Sequence, residues 1–245
     1  MPKEFVLLLS IFEINLIKSL KYKKMKNPFI VASALIIPIL VATAQDTDKS
    51  KWKDVGIDFP KPMFVGTPVA AKLPNLDKSK KPRLVLKAPE GAENLALDME
   101  VTSSDPEPII GDLDMICDGD KDGADGSYTE LGPGEQWVQV DLEEEATLYG
   151  IVVWHFHKNA RAYIDVVAQI SNDPEFKTGV TTVFNNDHDN SLGNGAGKDL
   201  AWVETNHGRI LDVKGKKARY VRLLSNGNTA NEMNHYVEIE VYGTR

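Results

Sequence analysis

The sequence predicts an all-β sandwich, and three observations carry that prediction. From about Ala92 onward, apolar residues recur at every second position in short runs, the period of a half-buried strand. Clusters of Gly, Asn, Asp and Pro separate the runs and supply turns. Long helical periodicity is absent. Many short strands punctuated in this way read as a sandwich or barrel. The 245 residues are 42% hydrophobic and 26% charged, which suits a chain that buries one core.

The elements follow in order. Lys23, Lys24 and Lys26 precede an apolar run over residues 29–41, and Ala42-Thr43-Ala44 follows it. A basic start, a short apolar run and a small-x-small site are the layout of a secretory signal peptide. The run is short for a membrane span, and no cysteine follows for lipid attachment. Residues 1–44 are therefore read as a leader, with Met25 as the expected start. The alternative is an uncleaved anchor that also uses residues 5–17. On the first reading the protein is secreted, periplasmic or held at the cell surface.

Residues 45–91 carry Pro60, Pro62, Pro68, Pro74, Pro82 and Pro89 among many lysines. Proline removes donors and favours extended backbone. The segment reads as a linker with short extended pieces, of which Met63-Phe64-Val65 is apolar enough to dock.

Residues 92–245 form the domain. Val138, Val140 and Leu142 share one face of a strand, as do Ile164, Val166, Ala168 and Ile170. Val221 and Leu223 alternate with Tyr220 and Arg222, and Val237, Ile239 and Val241 with Tyr236, Glu238 and Glu240. Residues 147–156 are more continuously apolar, as a central strand is. Turns fall at Gly132-Pro133-Gly134, Asn172-Asp173-Pro174, Gly193-Asn194-Gly195 and Ser225-Asn226-Gly227-Asn228.

Charge narrows the function classes. Residues 1–44 hold six lysines and two acids, so the rest of the chain has 22 basic and 34 acidic side chains, net −12. Phosphate neutralisation drives nucleic-acid binding, so nucleic acid is a poor partner. A cation or a neutral ligand such as sugar suits an acidic module. The single cysteine, Cys117, leaves no internal disulfide; beside Ile116 it reads as a small buried apolar residue.

Asn94-Leu95-Ala96, Val101-Thr102-Ser103-Ser104 and Asp118-Gly119-Asp120 open a recognisable series. It continues with Gln136-Trp137-Val138-Gln139-Val140-Asp141-Leu142 and Val166-Val167-Ala168-Gln169-Ile170-Ser171. Ala218-Arg219-Tyr220-Val221-Arg222-Leu223 and Glu238-Ile239-Glu240-Val241-Tyr242-Gly243 close it. Together, in this order, these pieces resemble the coagulation-factor five/eight type C, or discoidin, domain. The resemblance covers residues 92–245. It implies an eight-stranded jelly-roll sandwich of the galactose-binding type, usually non-catalytic, that binds sugars, phospholipids or protein surfaces from loops at one end.

The resemblance also implies a calcium ion between an early acidic loop and a late glutamate. Carried over by position, its ligands are Asp118, Asp120, backbone oxygens near Cys117 and Ser127, and Glu238. Residues 121–126 lengthen the loop relative to the family pattern. Calcium takes six to eight oxygens, and glycine lets carboxylates and carbonyls converge. The same residues fit an EF-hand loop at positions one, three, five and six. Position twelve is then Thr129, and Leu131-Gly132-Pro133-Gly134 cannot start the helix that an EF-hand needs. The remaining alternative is a solvated acidic turn.

His155-Phe156-His157 has a metal-ligand spacing, yet the glutamate that a cupin centre requires is missing from the next few residues. The preferred reading places His155 and His157 at a strand exit with Asn159 and Arg161, facing a sugar. Asp187 and His188, in the polar loop of residues 185–191, are expected to fold over the same rim or to hold a second cation with Asp189. Trp202 is expected as a sugar-stacking platform, with Trp137 and Trp154 in the core. No serine lies in a nucleophile elbow, and no phosphate-cradling glycine loop precedes a helix. The sequence thus predicts a non-catalytic module that binds carbohydrate or glycoconjugate and carries structural calcium. A cell-surface protein is the second partner class, and a small metalloenzyme built on the two histidines the third reading.

Overall fold

The computed structural model describes residues 49–63, 73–77 and 84–245. The leader, the start at Met25, and Phe64 and Val65 lie outside them. Thirteen strands make up the described residues, joined by two short 3₁₀ turns. The first strands are short: β1 (Lys53–Asp54), β2 (Lys87–Ala88), β3 (Glu93–Asn94), β4 (Val101–Ser103) and β5 (Thr129–Pro133). β6 (Gln136–Trp154) is long, followed by β7 (Ala162–Tyr163), β8 (Val167–Ser171), β9 (Thr181–Asn185) and β10 (Trp202–Val203). The chain closes with the long β11 (Arg209–Ser225), β12 (Met233–Tyr236) and β13 (Glu238–Thr244).

β6 and β11 build the sandwich. They pair antiparallel along most of their length, and each bends near its middle. Glu143 and Lys214 turn the backbone at φ 68° and 63°, and the register slips between Asp212 and Lys216 and again between Ala218 and Tyr220. Such irregularities bend a strand and raise its twist. Arg219 sits in the second slip. Its Nε and Nη2 donate to the two carboxylate oxygens of Asp141, each at 2.7 Å. That fork fastens the corner.

The bend sends the halves of both strands into different layers. The first half of β6 pairs with β4 and with the end of β11, which continues to β8 and β9. The second half of β6 pairs with β13 and the start of β11, and β13 pairs with β3. Val138, Val140, Leu142, Ile151, Val153, Val166, Leu223, Ile239 and Val241 fill the space between the layers. The expected all-β sandwich is what the described residues form, and most of the alternating apolar faces point inward; Val237, expected beside Ile239 and Val241, packs instead in an outer cluster, and Ile164, expected beside Val166, lines a surface cleft.

The continuous apolar run of β6 has a specific cause. Val152 and Trp154 face away from the main core, yet both are fully buried. Val55, Ile57, Phe59, Leu86 and Val237 pack on them as a second cluster. Phe59 lies 6.4 Å from the Trp154 ring, and Trp52 meets Tyr149 edge-on at 5.3 Å. β1 pairs with β2, and Asn206 Nδ2 donates to the Pro60 carbonyl at 2.8 Å. Residues 49–63 and 84–90 thus cover the outer face of the second layer. β1 and β2 lie within these residues and pack on the sheet.

Candidate functional site

The acidic turn and the late glutamate meet. Residues 118–123 leave the 3₁₀ turn Leu113–Cys117, and Glu238 opens β13 opposite Trp154. The Gly119 N–H donates to Glu238 Oε2 at 3.1 Å. Glu238 is 0% exposed, and its Oε1 has no hydrogen-bond partner. Burial pushes its carboxyl up to about 9, with Glu240 and Asp118 adding; the Gly119 N–H and Lys121 oppose the shift. Asp118 and Asp120 cap the next amides, at 2.8 Å to Asp120 N and 2.9 Å to Asp122 N. Ser127 closes its own turn on the Ala124 carbonyl at 2.7 Å. Gly119 and Gly123 take φ 86° and 56°, conformations that side chains rarely adopt.

Two further contacts wedge this turn into the sheet. Lys121 pairs with Glu240 at 2.8 Å and lies over the Trp154 ring. His157 Nε2 donates to the Lys121 carbonyl at 2.8 Å. The groups of this turn are carboxylates and carbonyls, the type a hard cation takes, although Asp118, Asp120 and Glu238 are not among the described carboxylates that come together within 4.8 Å. The unpartnered Oε1 of Glu238 fits such an ion, since a buried carboxylate oxygen without a partner is costly. Cys117 is fully buried with its thiol on the Ile239 carbonyl at 3.6 Å. Burial, then Glu238 and Asp118, push that thiol upward, so it is packing and no nucleophile.

The expected rim does not form as one surface. Trp202 is 0% exposed and sits in the main core, its Nε1 donating to Glu204 Oε2 at 2.9 Å. It cannot serve as a stacking platform, because β10 pairs with β7 and turns the indole inward. His155 and His157 are also fully buried. They do not share a face, because β6 ends at Trp154 and the backbone leaves the sheet between them. His155 Nδ1 donates to Glu204 Oε2 at 3.0 Å and stacks on Tyr163 at 4.1 Å, whereas His157 bonds the acidic turn. A metal centre using both has no geometry to rest on. Arg161 is 7% exposed, with its guanidinium 4.6 Å above the Phe156 ring. Asn159 alone among the expected residues of this segment is exposed.

Asp187 and His188 do meet a cleft. Asp187 is 0% exposed and holds its own loop, accepting from Ser191 N at 3.0 Å and Leu192 N at 2.9 Å. His188 is half-buried; its Nδ1 donates to the Gly197 carbonyl at 3.1 Å, and Asn75 Nδ2 donates to its Nε2 at 3.1 Å. A side chain at position 197 would collide with Asn185, so glycine is what lets the loop fold back. The result is a cleft of about 340 Å³. Asp165, Asn186, His188 and Asp189 line its polar side, and Leu73, Pro74, Tyr163, Ile164 and Ala201 its apolar side. Asp165, Asp187 and Asp189 bring carboxylate oxygens within 4.8 Å of one another. Burial raises the Asp165 carboxyl, and Asp187 and Asp189 add to the shift; Asn226 and Ser191 oppose it.

Sequence reasoning passed over Glu204, Glu130, Tyr163 and His235. Glu204 is fully buried and takes four donors: His155 N, His155 Nδ1 and Trp202 Nε1 on Oε2, and Thr205 N on Oε1. His235 Nε2 lies 2.9 Å from Glu130 Oε2. Burial, with Arg161 and His155 adding, pushes His235 down to about 3, so this contact is a hydrogen bond from a neutral ring. The partners lie 49 and 105 residues apart along the chain, beyond any local spacing signal.

No protein-family model matches the chain. No curated protein matches it. Solved structures share part of its shape. A family 89 glycoside hydrolase from Clostridium perfringens is similar over 62% of this chain and 15% of its own length, at 18% identity and TM-score 0.47. A chitosan-binding module from a chitosanase/glucanase of Paenibacillus sp. IK-5 is similar over 62% and 99%, at 24% identity and TM-score 0.44. A Streptococcus pneumoniae fucose-binding module is similar over 62% and 99%, at 19% identity and TM-score 0.46.

Proposed function

We propose that this chain is a non-catalytic carbohydrate-binding module of the discoidin type, stiffened by calcium and acting outside the cytoplasm. The cleft beside His188 carries the reading. It sets the polar side chains of Asp165, Asn186 and Asp189, with the His188 ring beside them, against an apolar wall, the pairing that a sugar ring presents with its hydroxyls and its C–H face. Its volume lies within the range of about 300–1,000 Å³ usual for ligand sites. Asn75 and Gly197 fix the His188 ring in place, so little ordering is left for the ligand to drive. Calcium is assigned to the turn at Asp118, Asp120 and Ser127 with Glu238. There it offsets the cost of the buried carboxylate and ties β13 to the middle of the chain.

A glycan array and titration calorimetry test the sugar reading. Wild-type protein is expected to bind a sugar ligand, and His188→Ala, which removes the ring that Asn75 and Gly197 hold in the cleft, to lose at least about tenfold in affinity, about 1.4 kcal/mol. Absence of any bound sugar on the array refutes it. Glycan-independent capture of a single envelope protein by wild type but not by His188→Ala replaces it with an attachment role.

A further inference from the structure

We propose that residues 73–77, which lie between β1 and β2 in the chain, are a working wall of the cleft at His188. Leu73 and Pro74 form a face that the sugar ring packs on, and Asn75 is a positioning residue that sets the His188 ring beside it. The inference rests on the sugar reading of the cleft and adds the segment that completes it. Leu73 and Pro74 stand with Tyr163, Ile164 and Ala201 on the apolar side of the cleft. Without the segment, that side is reduced to the last three.

The segment is fastened to the sandwich through its backbone, a side chain and a charge. The Ala201 N–H donates to the Asn75 carbonyl at 3.0 Å. Asn75 Nδ2 donates to His188 Nε2 at 3.1 Å. Burial disfavours the charge on Arg209, and Glu204, Asp199 and Asp77 favour it, so Asp77 and this guanidinium attract each other. Arg209 in turn donates to the Leu200 carbonyl at 3.1 Å and to the Ala201 carbonyl at 3.0 Å. The ledge that receives Asn75 is thus held by the same cation that attracts Asp77.

The local chemistry suits a site and not a core. Asn75 takes φ 53°, a left-handed conformation that asparagine adopts more readily than most side chains. The turn over Pro74 and Asn75 brings an apolar pair and an amide to one cleft. His188 has one nitrogen on the Gly197 carbonyl and the other facing Asn75. With both nitrogens engaged, the ring serves the cleft by its shape and its placement, and Asn75 acts through it. Asn75 is exposed and Leu73 half-buried. Among the described residues, neither belongs to an apolar cluster of the sandwich. Changes here can therefore touch the site while leaving the core intact. Since the sugar meets this wall only when the segment is docked, binding and docking favour each other by the same factor.

Full-length wild type, Asn75→Gly, Leu73→Ser, His188→Ala and the Asn75→Gly/His188→Ala pair, each applied over a range of concentrations to an array of mono- and oligosaccharides, test it. Glycine keeps the left-handed turn and removes only the amide. Asn75→Gly and Leu73→Ser are each expected to weaken binding at least about fivefold, with urea midpoints equal to that of the wild type. In the His188→Ala background, Asn75→Gly is expected to cost nothing further, because the amide acts through the ring. Hydrogen exchange at amides 75–77 of the wild type is expected to slow in the presence of the array sugars that bind. Wild-type affinity in both single variants overturns the inference and leaves the sugar reading in place. Additive losses from Asn75→Gly and His188→Ala overturn the positioning role of Asn75. A lowered urea midpoint with unchanged affinity makes the segment a structural brace and overturns the inference as well. An array on which wild type binds no sugar removes the sugar reading itself, and this wall with it.

Discussion

Replacing Glu238 by glutamine separates the proposed cation from the charge that it would compensate. The carboxyl is 0% exposed, with one oxygen on the Gly119 amide and the other unpartnered. Its proton affinity rises from an ordinary value of 4.5 to about 9, chiefly through burial. Below pH 4.5 the folded and unfolded states both hold the proton. Between 4.5 and about 9 the unfolded chain releases it and the folded chain keeps it, so stability without cation falls as pH rises. At pH 7 roughly 2.5 units of that gap have been crossed, worth about 3 kcal/mol. Glutamine keeps the shape and the bond from Gly119 but does not titrate. In chelator at pH 7, Glu238→Gln is therefore expected to melt above the wild type, by roughly 6–10 °C for a domain of this size.

Calcium reverses the order. An ion bound only by the folded state adds about 4.1 kcal/mol at a thousand times its dissociation constant, more than the roughly 3 kcal/mol that separates the two proteins in chelator. Wild-type protein gains this, and the variant, with one ligand charge gone, gains little. Differential scanning calorimetry of both proteins in excess calcium and in excess chelator reads all four melting points. Wild-type curves that superimpose in calcium and chelator remove the ion. A variant that melts below the wild type in chelator shows that Glu238 is stabilised by something other than an absent cation, and the argument from burial fails.

Other outcomes follow from the same contacts. His235 is held far below its ordinary 6.5, so protons bind the unfolded chain first and stability falls as pH drops from about 6.5 toward 3. Urea unfolding across that window should show up to about 1.4 kcal/mol per pH unit, and His235→Gln should flatten it. Phe59→Ala uncovers Trp154 and is expected to cost about 2 kcal/mol, seen as a lower urea midpoint; an unchanged midpoint would make residues 49–63 a passive strap. Trp202→Phe leaves Glu204 short of one donor in the core, with an expected loss of about 2 kcal/mol. It should leave the affinity of any bound sugar unchanged, since the indole faces the core.

The sandwich was legible because each strand buries one face against the core, and burial writes itself into the sequence as alternation. Val138, Val140 and Leu142 needed no other signal. The run over residues 147–156 marked a strand covered on both sides, but what covers it was hidden. Val55, Ile57 and Phe59 alternate over only a few residues among prolines and lysines. Glu238 was legible as a carboxylate inside an apolar strand, beside an acidic glycine-rich turn. The rim was not. Alternation predicts that His155 and His157 share a face only while the strand lasts, and β6 stops at Trp154. Trp202 had no alternation to place it, since Leu200, Ala201 and Val203 flank it on both sides. Its burial comes from a two-residue pairing with β7 that no period announces.

The segment from His155 to Arg161 is anchored at one end by the core and at the other by the acidic turn, and the two anchors differ in kind. His155 is held by Glu204, a fully buried acid with four protein donors. His157 is held by the Lys121 carbonyl, whose turn is tied to Glu238 through the Gly119 amide and, with calcium bound as proposed, through the ion. Removing calcium should loosen the second anchor and spare the first. Hydrogen exchange is expected to quicken in chelator at residues 119–123 and 158–160 while 151–155 keep their protection, because local opening follows the weakest attachment. The Gly119 amide is the direct reporter, since its N–H is the one that Glu238 accepts. Equal protection of Gly119 with and without calcium would mean that the turn is held by Lys121 and His157 alone, and the ion would then have no part in joining β13 to the rest of the sandwich.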